Sequence, residues 1–247
     1  MTARLADVDL YGCYFDHSVV VLDYRTGATR VLHGPGLAGA LQVVPFNGQD
    51  RVPPHLENEV MRALRLDGAG SPRMRLRPGR PAGLSFGAEE YDAGLASPVG
   101  SSPASAAGVV AAALALGIVL AVKHLGRRER TMHRLITLMT WTLRLPSVLA
   151  TADEAEPQVR RVRRLACGLP ARVACLEESI AAMVALALLG KSVTWCHGVA
   201  ADPFTFHAWV RIDIAGDDTR RVGVPIAEPD STKRYTVLRT IPETPIL

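Results

Sequence analysis

From Ser18 the chain runs Ser-Val-Val-Val-Leu-Asp, a β-branched stretch that turns at Thr26-Gly27 and can pair back through Ala28–Leu32 as a hairpin. A short helix is expected at Gly36–Val44. A better one spans His55–Leu66, where Leu56, Val60, Ala63 and Leu64 share a face before Asp67-Gly68 stops the run. Gly, Pro and Ser then crowd residues 69–104, the pattern of a connecting segment. Ala106–Val122 follows, seventeen residues without a charge, closed by Lys123 and the basic Gly-Arg-Arg-Glu-Arg. It sits at the short edge of the length that crosses a bilayer, and seven of the seventeen are alanine, a weak membrane former. The expectation is therefore a helix buried on all sides in a globular core, with a membrane contact through 106–122 as the rival.

Arg130–Leu145 has amphipathic helical spacing, with Leu135, Leu138, Met139 and Leu145 inward and Pro146 as its end. Thr151–Leu165 is a further helix, with Thr151 as cap and acids in the first turn. Leu176–Leu189 is a strongly apolar helix ended by Gly190. Two strands come next, Ser192–Val199 and, past a turn at Asp202-Pro203, Phe206–Ile214. In the second, His207, Trp209, Arg211 and Asp213 point one way and Ala208, Val210 and Ile212 the other. The order of elements predicts an α+β chain in three parts: residues 1–68, a small β-hairpin with helices; 69–104, a linker; and 105–247, a helical lead-in followed by the main domain.

At 247 residues, with 48% apolar and 21% charged residues, the composition excludes disorder throughout. A net charge of +4 and a pI near 9.1 fall far short of a nucleic-acid binder, and none is expected as partner. The basic Arg160-Arg161-Val162-Arg163-Arg164 run, without interleaved aromatics, is expected to be a solvated face or an acidic-partner patch. Cys13, Cys167, Cys175 and Cys196 form no C-x-x-C pair, and the acidic residues near the start do not suit a secretory signal. Free thiols in a reducing, cytoplasmic compartment are expected.

Chemistry concentrates after residue 170. Cys175 stands at a helix start, where unpaired amides and the macrodipole favour an anion, the setting in which cysteine nucleophiles are activated. His207, 32 residues on at a strand start, can meet it as general base if the helix packs across the sheet. His197 is a rival base with no evident orienting acid. Glu177 and Glu178 match the helix dipole, and Trp195 and Trp209 are expected as core or pocket walls. No His, Cys and acid spacing suits zinc, no phosphate-binding glycine loop is present, and no cofactor or metal is expected.

Ala174-Cys175-Leu176-Glu177-Glu178-Ser179, Val193-Thr194-Trp195-Cys196-His197-Gly198-Val199, Pro203-Phe204 and His207-Ala208-Trp209-Val210 form an ordered set. It resembles the lasso-peptide B proteins, transglutaminase-like (papain-type) cysteine proteases that remove the leader from a ribosomally made precursor in antibiotic biosynthesis. The resemblance covers about residues 170–242. It implies a nucleophile helix packed on an antiparallel sheet, with Cys175 as nucleophile and His207 as base. The family's acid lies about a dozen residues past the histidine, whereas the matching Ile226-Ala227-Glu228-Pro229 puts Glu228 21 residues past it. Ala215–Arg221 as a lengthened hairpin tip would absorb the excess; Asp213 is the alternative acid. The backbone amide of Cys175 is the default oxyanion donor.

The resemblance also implies partners: the precursor peptide, a leader-recognition domain that is fused or separate, and a lasso cyclase. The N-terminal hairpin unit could hold a leader as an added strand or simply cap the core. Two other functions stay open on the same residues, an amide-forming acyltransferase and a noncatalytic peptide-binding scaffold.

Overall fold

The computed structural model describes residues 8–15, 18–33, 62, 73–79, 105–145, 148–170, 173–201, 203–215, 221–228 and 230–243. The helices expected at 36–44 and 55–66 lie outside the described residues except for Arg62, which is helical.

The expected hairpin is present as β2 (Ser18–Asp23) and β3 (Thr29–His33), antiparallel with Val20 opposite Val31. It belongs to a larger sheet. β1 (Val8–Phe15) pairs antiparallel with β2, and β4 (Arg73–Pro78) lies parallel to β1, giving the order β3-β2-β1-β4. Arg73–Pro78 is thus a strand inside the segment expected to be only a connection. Its Met74 and Leu76 alternate with arginines and are both buried. Tyr11, Cys13, Val20 and Tyr24 of this sheet belong to the same buried cluster as the helices that follow.

Four helices come next: α1 (Ala106–His124), α2 (Thr131–Thr142), α3 (Ala152–Cys167) and α4 (Cys175–Leu188). α4 is the central one, with Ile180 through Leu186 all buried, and α1, α2 and α3 pack around it. The approach of α1 to α3 is close. Gln158 Nε2 donates to the Gly108 carbonyl at 2.9 Å, and a Cβ at Gly108 would come within 2.6 Å of Arg161 Nη1. α1 is not buried on all sides, as the sequence led us to expect. Gly108, Ala111, Ala112, Ala115, Leu116 and Val119 face the protein, while the other side of the helix is exposed.

A second sheet carries the chemistry. β7 (Thr194–Ala200), β8 (Thr205–Ala215), β9 (Arg221–Pro225) and β10 (Thr236–Ile241) are antiparallel in the order β10-β7-β8-β9. The short parallel pair β5 (Val148–Leu149) and β6 (Lys191–Ser192) ties the chain before α3 to the end of α4. The chain is α+β, with α4 laid against the second sheet.

Candidate active site

α4 begins at Cys175 itself. Ala174 precedes it in extended conformation, and its N–H is accepted by Glu177 Oε2 at 2.9 Å. That return bond satisfies a donor just outside the helix and fixes the angle at which the chain enters. Glu177 also meets Lys123 of α1 at 2.7 Å, so its place is structural as well as complementary to the helix dipole. Cys175 is partly buried, whereas Cys13 and Cys196 are fully buried and their thiols are pushed up to about 12 by desolvation.

His207 lies near the start of β8, opposite Gly198 of β7. A Cβ at Gly198 would sit 2.9 Å from Trp209 Cη2 and 2.8 Å from the Thr236 carbonyl, so only glycine lets the indole lie there. Trp209 in turn stacks on the His207 ring, with centroids 5.7 Å apart and planes within 15°, and Tyr235 covers it from another side at 5.2 Å. Held in this way, the imidazole reaches two partners. Nε2 is 2.8 Å from Glu228 Oε2, and Cys175 lies close enough to the ring to favour its protonated form. Burial alone would push His207 down. The bonds to Cys175 and Glu228, with their negative charges, outweigh it and raise His207 to about 9.

Glu228 arrives at the ring because β8 and β9 extend far past it and return. Arg211 pairs with Pro225, Asp213 with Gly223 and Ala215 with Arg221, and the Ile226 N–H then donates to the Val210 carbonyl. The long hairpin anticipated from the 21-residue separation is therefore present, with residues 216–220 outside the described residues. Just before Glu228, Ala227 adopts φ +53°, a left-handed conformation that costs a non-glycine residue about 1–2 kcal/mol. Asp213, the alternative acid, is taken up farther along β8 by Thr194 Oγ1 at 2.9 Å and by Arg211 Nε at 3.2 Å.

One member of the site was not foreseen. Arg163, in the basic run expected to be solvated, turns inward from α3. Its guanidinium donates to Glu228 Oε1 through Nη2 and to the Ala227 carbonyl through Nη1, and its Nε lies 3.8 Å from Glu178 Oε2. The Glu228 side chain is only 2% exposed, with the Arg163 guanidinium on one of its oxygens and the His207 ring on the other. Glu178, one turn into α4, is raised by burial and lowered by Arg163, with burial the stronger. Cys175, Arg163, Glu178, Ser179, Ala208 and Glu228 line one small hollow.

His197 faces elsewhere. Its ring is sealed between Trp195, Phe206 and Tyr24, with Nδ1 2.7 Å from Tyr24 Oη. Burial pushes His197 down to about 3 and the Tyr24 phenol up, so both rings are neutral where they share this hydrogen bond. Among the described residues no group of His, Cys, Asp and Glu is arranged to hold a metal ion.

A cysteine at a helix start, an imidazole beside it and a buried carboxylate behind the imidazole can perform nucleophilic acyl chemistry. The transglutaminase-like superfamily model matches residues 116–240, just over half of the chain and all of these groups. No match was found among curated proteins or among solved structures. The helix-on-sheet core and the family match agree: the chain belongs to the transglutaminase-like superfamily, whose general kind is the thiol-dependent peptidase or acyltransferase.

Proposed function

We propose that this protein is a cysteine peptidase that removes the leader segment from a ribosomally made lasso precursor peptide, with Cys175, His207 and Glu228 as its catalytic residues. The observation that carries the reading is the bond between His207 Nε2 and the buried Glu228, on an imidazole whose other neighbour is Cys175. The ordered motifs around Cys175, Gly198 and His207 supply the choice of substrate.

In this reaction the Cys175 thiolate attacks the carbonyl of the last leader residue. The tetrahedral oxyanion forms next to the first turn of α4, with the Cys175 amide as its proposed donor. The C–N bond then breaks, the leaving nitrogen takes the proton of the His207 imidazolium, and the leader remains as a thioester. Water, deprotonated by the now neutral His207, cleaves the thioester to a carboxylate and restores the thiol–imidazole pair. Glu228 keeps the ring oriented and balances its positive charge throughout. The released amine is the new N-terminus of the core peptide, the nucleophile that a macrocyclase partner needs. β3, an edge of the N-terminal sheet among the described residues, has exposed side chains along most of its length and offers a template on which an extended leader could add a strand.

The test is incubation of the purified chain with the precursor peptide encoded beside it, with and without any small recognition protein from the same locus, followed by mass spectrometry. Leader release that disappears in Cys175→Ala and falls sharply in Glu228→Gln supports the reading. A product in which an added amine replaces water points to acyl transfer. An intact peptide under every condition, with Cys175 no more readily alkylated than Cys167, removes the peptidase in favour of a binding scaffold.

A further inference from the structure

α1 carries an exposed face with no polar side chain on it. Ala106, Ala107, Val109, Val110, Ala113, Leu114, Gly117, Ile118 and Ala121 all face outward, with Val110 and Leu114 each 56% exposed. A helix on the surface of a soluble domain normally turns charged or polar residues to water, and contiguous apolar faces of this kind mark interaction sites. The length and hydropathy of α1 would suffice to cross a bilayer. Its opposite face is nonetheless committed to the protein, through Gly108 against α3 and through Ala111, Ala115 and Val119 in the shared core. A helix so held cannot cross, but it can lie flat.

The surroundings say what it would lie on. Between residues 105 and 150 six lysines and arginines stand against a single acid, Glu129; with Lys123 taken up by Glu177, a surplus of four remains, as large as that of the entire chain. At the tip between α1 and α2, His124, Arg127, Arg128 and Arg130 are exposed together with Leu125, which is 68% exposed. α2 runs back from that tip and ends in Trp141, 59% exposed, with the Arg144 guanidinium 4.2 Å from its ring centroid. Cations therefore gather at the tip where the aliphatic strip ends, and the helix that runs back from that tip ends in an exposed indole, a side chain suited to a water–lipid boundary.

From this arrangement we infer that the α1–α2 hairpin docks in the plane of an anionic bilayer, its aliphatic strip at the acyl boundary and its cations at the headgroups. A second copy of the chain is a poor occupant because two such surfaces would bring like charges together. A folded partner protein would find no hydrogen-bonding group along the strip to recognise.

The experiment uses the full chain with vesicles of phosphatidylcholine, with and without phosphatidylglycerol, read by flotation and by fluorescence. Trp195 and Trp209 are buried, so a change on binding reports Trp141. Expected are flotation only with phosphatidylglycerol, a blue shift, quenching by brominated acyl chains and reversal by salt. Leu114→Glu, at an exposed position, should abolish binding, and the double change Arg127→Ser with Arg128→Ser should weaken it about thirtyfold. Unaltered far-UV circular dichroism in both variants would show that folding is not the cause. The proposal is overturned if the protein stays unbound, if Leu114→Glu binds as the parent does, or if the strip proves covered in solution. Coverage by a second copy would appear as a concentration-dependent dimer broken by Leu114→Glu, and coverage by an acidic protein as a complex that vesicles do not displace.

Discussion

Glu228 Oε2 lies 2.8 Å from His207 Nε2, 21 positions earlier in the chain, with the paired strands β8 and β9 between them. Because the carboxylate is buried, its effect on the imidazole is little screened, and with Cys175 it raises His207 to about 9 against the opposing pull of burial. The sign follows directly. A histidine raised above its ordinary value of about 6.5 stays protonated through neutral pH, and the stabilisation this contributes is complete below that value and lost as pH rises through about 9. If peptide cleavage needs the imidazolium, kcat/KM should hold to weakly alkaline pH and fall with a limb near 9. Glu228→Gln should move that limb downward and reduce kcat. A pH–rate profile of both proteins checks this, and a limb that stays in place would show that Glu228 does not control His207.

Arg163 gives a second handle on the same carboxylate. Its side chain is 27% exposed, and it bridges Glu228, the Ala227 carbonyl and the neighbourhood of Glu178. Removing one partner of a buried ion pair typically costs about 3 kcal/mol, because the other charge is left uncompensated. Arg163→Met should therefore lower stability by about that amount in denaturant titration. It should also change kcat more than KM, since Arg163 acts through Glu228. Arg163→Lys keeps the charge but cannot span two acceptors, and should fall between the two.

Much of this site was legible in the sequence because it is local. The helix start at Cys175, the strand alternation that places His207 beside Trp209, and the glycine-valine end of β7 are short-range patterns. Glu228 was legible only by allowing a longer hairpin, and the paired strands β8 and β9 supply it. Arg163 was not legible, because the amphipathic spacing of α3 does not tell which of several arginines on its polar side reaches a distant loop. β4 was missed for a similar reason. Its Arg-Met-Arg-Leu alternation is short and embedded among prolines and glycines, and its partner, β1, is more than fifty residues away. The two-sidedness of α1 has no trace in the sequence at all, since both faces are aliphatic and only packing distinguishes them.

The four thiols should separate by reactivity. Cys13 and Cys196 are buried and held near 12, so iodoacetamide at neutral pH should spare both in the folded protein. Cys175 and the exposed Cys167 should be alkylated. If the His207 imidazole assists Cys175, His207→Ala should slow alkylation of Cys175 about tenfold or more, leaving Cys167 unchanged as an internal reference. Peptide mapping by mass spectrometry over a time course measures both rates in one sample, and equal slowing of the two would show a global effect instead.

Tyr24 and His197 separate the structural histidine from the proposed catalytic one. The phenol reaches across from the N-terminal sheet to a strand of the second sheet, and Arg239 stacks over the same ring at 4.9 Å. Tyr24→Phe removes only the hydroxyl and leaves His197 Nδ1 buried without its hydrogen-bond partner, a loss of about 1–3 kcal/mol. Stability should fall by that amount in denaturant titration. Because His197 is driven down to about 3, it is neutral throughout the working range and contributes no titration to a pH–rate profile. The alkaline limb should thus stay where His207 puts it while the midpoint of unfolding drops. Had His197 been the base, the same substitution would shift the limb, so one variant read in two ways assigns the roles of both histidines.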